Sequence, residues 1–207
     1  MTNPDKAARQ PQADAPPSDY RLLLPDGWFR ILLDPDEREK SVAALVERQF
    51  QGIDNAPHLK EGLRKDLRNR AAKAHRSGGI ELYLSLQEVG PFTIPASLLV
   101  TLAPLRHAEE LPLDALARAL ADGGPAGQEV SVEELTSGAA VRVRKQVAQP
   151  ADDATDRAYA STSVEYHVPV PGTTAFLLLS FSTPLEPLAD AMAGLFDAVA
   201  DSLTWTE

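Results

Sequence analysis

The side chains able to do chemistry in this chain are scattered where catalysis would need them gathered. Its four histidines, His58, His75, His107 and His167, stand far apart, and none has a second ligand at the His-Glu-x-x-His spacing that puts two imidazoles on one helix face. No Gly-x-Ser-x-Gly elbow presents a serine nucleophile. Gly123-Gly124-Pro125-Ala126-Gly127 lacks the Lys-Ser/Thr of a phosphate loop and follows a helical pattern, so it reads as a connection. Asp152, Asp153 and Asp156 lack the alternating ligands and the glycine of a calcium loop and read as solvated. With no cysteine, thiolate nucleophiles, disulfides, cysteine zinc sites and lipid attachment through sulfur are all excluded. These residues point to no catalytic group, no metal and no cofactor.

Two polar groupings carry binding chemistry instead. Between residues 60 and 76 a helical stretch sets Lys60, Arg64, Lys65, Arg68, Arg70, Lys73 and Arg76 against only Glu61 and Asp66. Segregated charge of this kind makes Arg64, Lys65, Arg68, Lys73 and Arg76 a candidate docking surface for an acidic protein partner or lipid. The alternative is a solvated face whose cations pair with the acids of the C-terminal helix. The second grouping follows from strand alternation, which sets Arg142 and Arg144, and Ser161, Ser163, Glu165 and His167, opposite Val141, Val143, Val164 and Val168. Together with Tyr83, Arg142, Arg144, Glu165 and His167 form a candidate site for an anionic or peptide ligand on an outward sheet face. Plain cross-strand Arg-Glu pairing on a wet face explains the same residues without a ligand.

Composition bounds the partners. The 207 residues are 43% hydrophobic and 24% charged, close to the globular average, and the formal charge of -10 opposes general binding to nucleic acid. The longest apolar run, around residues 175–179, is too short to span a bilayer. Residues 1–19 mix Pro, Ala, Asp, Gln and Lys with no apolar leader, so a disordered tail and a cytoplasmic location are expected, with one domain over 20–207.

The elements that must position these groups are legible from period. Residues 20–24 and 28–33 flank Pro25-Asp26-Gly27, the chemistry of a hairpin turn. Asp34-Pro35-Asp36-Glu37 supplies a cap, a first-turn proline and a Glu three residues on, launching a helix whose stripe is Val42, Leu45, Val46, Phe50 and Ile53. A second helix over 57–75 carries Leu59, Leu63, Leu67, Ala71 and Ala74 and stops at Gly78-Gly79. Ile80, Leu82, Leu84 and Leu86 then alternate with polar neighbours as a half-buried strand, and residues 94–102 make its antiparallel partner. After a short helix at 112–120, strands over 129–135, 139–147, 159–170 and 174–182 form a meander. The last of these is apolar on both faces and so belongs at the centre of a covered sheet. Thr183-Pro184-Leu185-Glu186 repeats the cap arrangement and launches a helix with Leu185, Leu188, Met192, Leu195, Phe196, Val199 and Leu203 inward and Asp190, Asp197 and Asp201 outward.

This order predicts an α+β domain: an antiparallel sheet with helices packed on it, an α/β/α-like sandwich without a βαβ rhythm. The Leu24-Pro25-Asp26-Gly27-Trp28 opening, and the strand Phe176-Leu177-Leu178-Leu179-Ser180-Phe181-Ser182 leading through Thr183-Pro184 into an amphipathic helix, resemble the PsbP/Mog-like superfamily. That superfamily includes DcrB-like and LpqN-like bacterial proteins. The resemblance runs from about Tyr20 onward and implies a noncatalytic binding or adaptor role toward proteins, with small-molecule binding in some members. The chain departs from the LpqN-like branch in having no lipobox cysteine and no apolar leader. The expected function is a noncatalytic cytoplasmic protein-binding or adaptor domain. The alternatives are a small-molecule binder or unfamiliar hydrolase on the sheet face, and self-association through Trp205 and the apolar last strand.

Overall fold

A computed structural model of the chain describes residues 16–53, 55–89, 92–104, 111–149 and 159–207. In order these are β1 (Asp19–Arg21), β2 (Trp28–Leu32), α1 (Pro35–Gln49), α2 (Pro57–Arg76), β3 (Gly79–Val89), β4 (Phe92–Ala103), α3 (Leu113–Gly123), β5 (Glu129–Leu135), β6 (Gly138–Gln149), β7 (Tyr159–Pro169), β8 (Phe176–Thr183), α4 (Ala189–Asp201) and β9 (Thr204–Thr206). Seven strands build one sheet in the order β2-β3-β4-β8-β7-β6-β5, while β1 and β9 form a separate ribbon. Every pairing is antiparallel. The α+β architecture expected from period is the one observed.

The strand without a polar face lies in the middle. β8 is fourth of seven, and Leu177, Leu179 and Phe181 are buried on the side covered by α4. There Phe181 and Phe196 stack with ring centroids 4.9 Å apart, in a core completed by Leu98, Val100, Val164 and Tyr166. On the opposite side α1 and α2 cover β2, β3 and β4, enclosing a second core of Ile31, Leu33, Val42, Val46, Leu67 and Ala71. α3 packs along β5 and β6, where Val141 and Val143 are buried facing away from α4. The sheet is thus covered on both faces.

Local chemistry explains the helix ends. The Asp34 carboxylate accepts from the Asp36 N–H at 2.9 Å, with Pro35 in the first turn of α1. α2 ends at Gly78, whose φ of +84° only glycine adopts without strain. A Cβ on the next residue, Gly79, would lie 2.9 Å from the Ala74 carbonyl oxygen and 2.7 Å from a Leu99 methyl, so the helix can fold back onto the sheet only past a glycine.

Several expectations are corrected. The segments at 20–24 and 28–33 do not form a hairpin: Tyr20 pairs with Trp205, and β2 pairs with β3. The turn does form, with Trp28 N–H to Pro25 O at 3.4 Å, but it carries the chain from the ribbon on the α4 side into the edge of the sheet. Leu22 and Leu24 pack with the α4 core, while Ile31 and Leu33 belong to the α1/α2 core. Ile53 lies beyond the end of α1 and is exposed. Thr183 does not cap α4; it ends β8, donates to Pro95 O at 2.9 Å and accepts from Leu185 N at 3.3 Å. A 3-10 turn with Pro187 in it, Glu186–Leu188, comes before α4 begins at Ala189. Ser18 and Asp19, at the end of the expected tail, already pair with Thr206, whereas residues 1–15, the loop aspartates 152, 153 and 156, and His107 lie outside the described residues.

Replacing the central aromatic, Phe181→Ala, should lower unfolding free energy by about 3–5 kcal/mol, because a fully buried ring leaves a cavity. The same measurement on Leu59→Ser, at a residue 57% exposed, should move stability by no more than about 0.5 kcal/mol. Chemical denaturation of both variants checks the placement of the core.

Candidate functional site

Strand register decides which polar side chains meet. Tyr166 is opposite Arg142 and Leu179 opposite Tyr166, so Arg142 and Tyr166 share the α4 face. Glu165 is opposite Val143 and Ser180, and His167 opposite Val141 and Leu178, all on the other face. Tyr83, opposite Leu98, belongs to the α4 side. The expected cluster of Tyr83, Arg142, Arg144, Glu165 and His167 is therefore divided by the sheet itself. A single-residue offset between neighbouring strands is enough to send one set of side chains to each face.

On the α4 face the polar groups close on one another. Asp197 accepts from Arg142 Nε at 2.9 Å and Nη2 at 3.1 Å, and from the Tyr166 hydroxyl at 2.7 Å; Arg144 pairs with Asp190. Burial, reinforced by the Asp197 hydrogen bond, holds the Tyr166 hydroxyl well above its ordinary range. The acids of α4 face solvent as expected while also reaching the sheet: Asp190 is exposed, Asp197 partly so, and Asp201, also exposed, accepts from the Thr136 N–H at 2.9 Å. Nearer the β2 edge, Glu81 accepts from Tyr20 at 2.7 Å and Tyr83 at 2.6 Å and also pairs with Arg30. Both tyrosines are raised by burial and by the carboxylate they bind. These knots fasten helix and ribbon to the sheet.

On the other face, β7 and β8 carry a polar band between the two helical covers. Ser180 donates to Glu165 at 2.9 Å, and His167 Nε2 lies 2.8 Å from Glu165 Oε1 but off the line of a well-formed N–H hydrogen bond. Contact with the His167 ring holds the Glu165 carboxyl below its usual range against the opposing effect of burial. Ser180 is bonded to the carboxylate and not to the imidazole, so the three residues do not form a nucleophile-and-base pair. Beside this band, α2 overhangs the sheet to leave a cleft of about 420 Å³ floored by Ser97, Ser161 and Ser182 and rimmed by Asp66 and Arg70. Ser161 stands with Glu165 and His167 in the strand alternation, whereas Ser97 and Ser182 pass unnoticed, because Ser180 and Ser182 only interrupt an apolar run. The signal was there: both fall on one face of β8.

The cations of α2 fall into three sets. Toward α1, Arg68 grips Glu39 through two bonds of 2.8 Å, Lys60 reaches Glu47 at 2.6 Å, and Arg64 lies between Glu47 and Glu61. Glu39 titrates below the ordinary carboxylate range because of its bond to Arg68. Along the outward ridge, Lys65, Lys73 and Arg76 are exposed and make no ion pair among the described residues. Arg70 faces the cleft. The α2 cations do not pair with α4, which lies across the sheet. His58 and His75 are exposed on α2, and the described residues hold no group of three or more metal-ligating side chains. No helix among them is long and apolar enough to cross a membrane. Trp205 and β8, the grounds for self-association, are engaged within the chain.

Two measurements check these assignments. Asp197→Ala strands a half-buried guanidinium and a buried tyrosine hydroxyl and should cost about 1–3 kcal/mol of stability, with Asp190→Ala costing well under half of that. Because folding lowers the Glu165 pKa, its contribution is complete above the unfolded carboxyl value near about 4.3 and is lost as pH falls through the folded value. The stability gap between the native chain and Glu165→Gln should accordingly shrink as pH falls below about 4.3.

No family model and no curated protein matches the chain. Among solved structures it is similar to LpqN, involved in cell envelope biogenesis of Mycobacterium tuberculosis, at 12% identity and a TM-score of 0.46, covering 94% of this chain and 87% of that one. It is similar to the Saccharomyces cerevisiae Ran-binding protein Mog1p at 13% identity and a TM-score of 0.38, covering 61% of this chain and 79% of that one. It is also similar to cyanobacterial PsbP from Synechocystis sp. PCC 6803 at 14% identity and a TM-score of 0.30, covering 90% and 86%.

Proposed function

We propose that this chain is a noncatalytic, cytoplasmic binding module that docks an acidic protein segment on the outward ridge of α2. The observation that carries this reading is the partition of the α2 cations. Arg64 and Arg68, two of the five residues expected to dock a partner, are neutralised by α1, whereas Lys65, Lys73 and Arg76 stay exposed without an ion pair among the described residues. Lys65 and Arg76 stand three turns apart on one stripe of the helix, with Lys73 beside them. In a chain of net charge -10, a standing cationic stripe selects for a complementary acidic surface.

A noncatalytic role is favoured by how the polar residues are engaged. Tyr83, Arg142 and Tyr166 are tied to carboxylates that fasten secondary structure, and Glu165 with His167 looks out on the opposite face. A ligand or hydrolase site using all five of the residues grouped by parity has no single surface to occupy.

The test is retention on a poly-glutamate matrix. The native chain should bind at low salt and elute as salt rises, since exposed pairs are screened within about 10 Å at 0.1 M. Lys65→Glu combined with Lys73→Glu and Arg76→Glu should flow through while remaining folded, because none of the three makes an ion pair among the described residues. Equal retention of both proteins would remove the ridge from consideration.

A further inference from the structure

We infer that the cleft between α2 and the sheet is a second, separate binding site, which takes a short apolar peptide end through its terminal carboxylate. Register aligns Leu84, Ser97, Ser182 and Ser163 in one row across β3, β4, β8 and β7, on the face that α2 overhangs. The resulting cleft, about 420 Å³, is within the range of sites that bury small ligands. Leu63 and Leu67 line it from α2, and Pro95 and Pro184 line it from the strand ends. Prolines bring no N–H, so the donors available to a ligand come from side chains.

A ledger of those side chains defines the ligand. Ser161 donates to Thr183 O at 3.1 Å, so its 2.7 Å contact with Ser182 is a bond donated by Ser182. Ser85 donates to Ile94 O. Ser182 therefore retains only acceptor capacity toward the cleft, while Ser97 makes no side-chain hydrogen bond among the described residues and offers both donor and acceptor. Arg70 is the one cation in the lining, Asp66 the one anion, and neither makes an ion pair among the described residues.

The vacant functions are a guanidinium with a neighbouring hydroxyl, which suits a carboxylate, and a carboxylate with a serine oxygen, which suits amide N–H donors. Leucines supply an apolar wall between them. A peptide end satisfies all three: its terminal carboxylate lies on Arg70 and Ser97, its backbone N–H groups face Asp66 and Ser182, and its last side chain lies against Leu63, Leu67 and Leu84. A simple fatty acid would leave the serine floor and Asp66 unanswered, and a polyanion would be repelled by Asp66. Arg70 is on the flank of α2 away from the α1 contacts, so this site does not depend on the outward ridge.

The test is isothermal titration of the full chain with N-acetyl-alanyl-valyl-leucine, its C-terminal amide, and N-acetyl-leucine. Saturable one-to-one binding of the tripeptide acid is expected, at least about tenfold weaker for the amide and for the single acyl amino acid. Arg70→Gln should weaken the acid by a similar factor and leave the amide unchanged, and Ser97→Val should block both by filling the cleft floor. Absence of saturable binding, equal affinity for acid and amide, equal affinity for N-acetyl-leucine, or an Arg70→Gln variant that binds as the native chain does would each overturn the assignment.

Discussion

The sheet depends on one late strand pairing on both its edges. β8 joins β4 to β7, and the strands β2-β3-β4 meet β7-β6-β5 only through it. Leu177, Leu179 and Phe181 must face α4 while Leu178, Ser180 and Ser182 face the other way, so a slip of one residue would empty one core and bury serines in it. Because β8 ends at Thr183, most of the chain must be present before the sheet can close. The N-terminal half has the α1/α2 core of its own, but the α4 core draws on β4, β7, β8 and both termini at once. Cooperativity is concentrated on the α4 side.

Two carboxylates secure what β8 organises. Burying a tyrosine adds apolar area but obliges its hydroxyl to find a partner, and a carboxylate at the margin of the core provides one while remaining charged. Glu81 does this for Tyr20 and Tyr83 beneath the β1–β9 ribbon, and Asp197 does it for Tyr166 where α4 crosses β7. In each case an arginine pairs with the acid as well: Arg30, more exposed than Glu81, and Arg142, more buried than Asp197. Perturbed tyrosines are often read as signs of catalysis. Here each is explained by a structural bond between an outer layer and the sheet.

How much of this was legible in the amino-acid order depends on the range of the interaction. β5 was expected over the residues where it forms, α1 and α2 from their caps and stripes, and the central place of β8 from the lack of a polar face, because each reflects neighbours within one element. What failed required knowing which strand lies beside which. Parity within β6 correctly grouped Arg142 with Arg144, and parity within β7 grouped Glu165 with His167, but only the register opposing Val143 to Glu165 shows that the groups face apart. The turn at Pro25-Asp26-Gly27 likewise specifies a reversal and not the partner of the strand that follows it, so Tyr20 could be claimed by Trp205. Ser97 and Ser182 were hidden for the same reason: a hydroxyl is unremarkable in a strand until register sets it beside another.

Placed against that framework, α2 has three distinct edges, and the chemistry of each follows from what lies next to it. The edge toward α1 carries cations matched by Glu39 and Glu47, which makes it internal packing at the surface and worth little individually. The edge toward the sheet carries Leu63 and Leu67 inward, with Arg70 and Asp66 overhanging serines that β8 and β4 bring together. The remaining ridge holds Lys65, Lys73 and Arg76 and makes no ion pair among the described residues. Lys73 and Arg76 lie in the last turn of α2 and complement the negative end of its dipole, so the ridge steadies the helix as well as concentrating positive charge in an acidic protein.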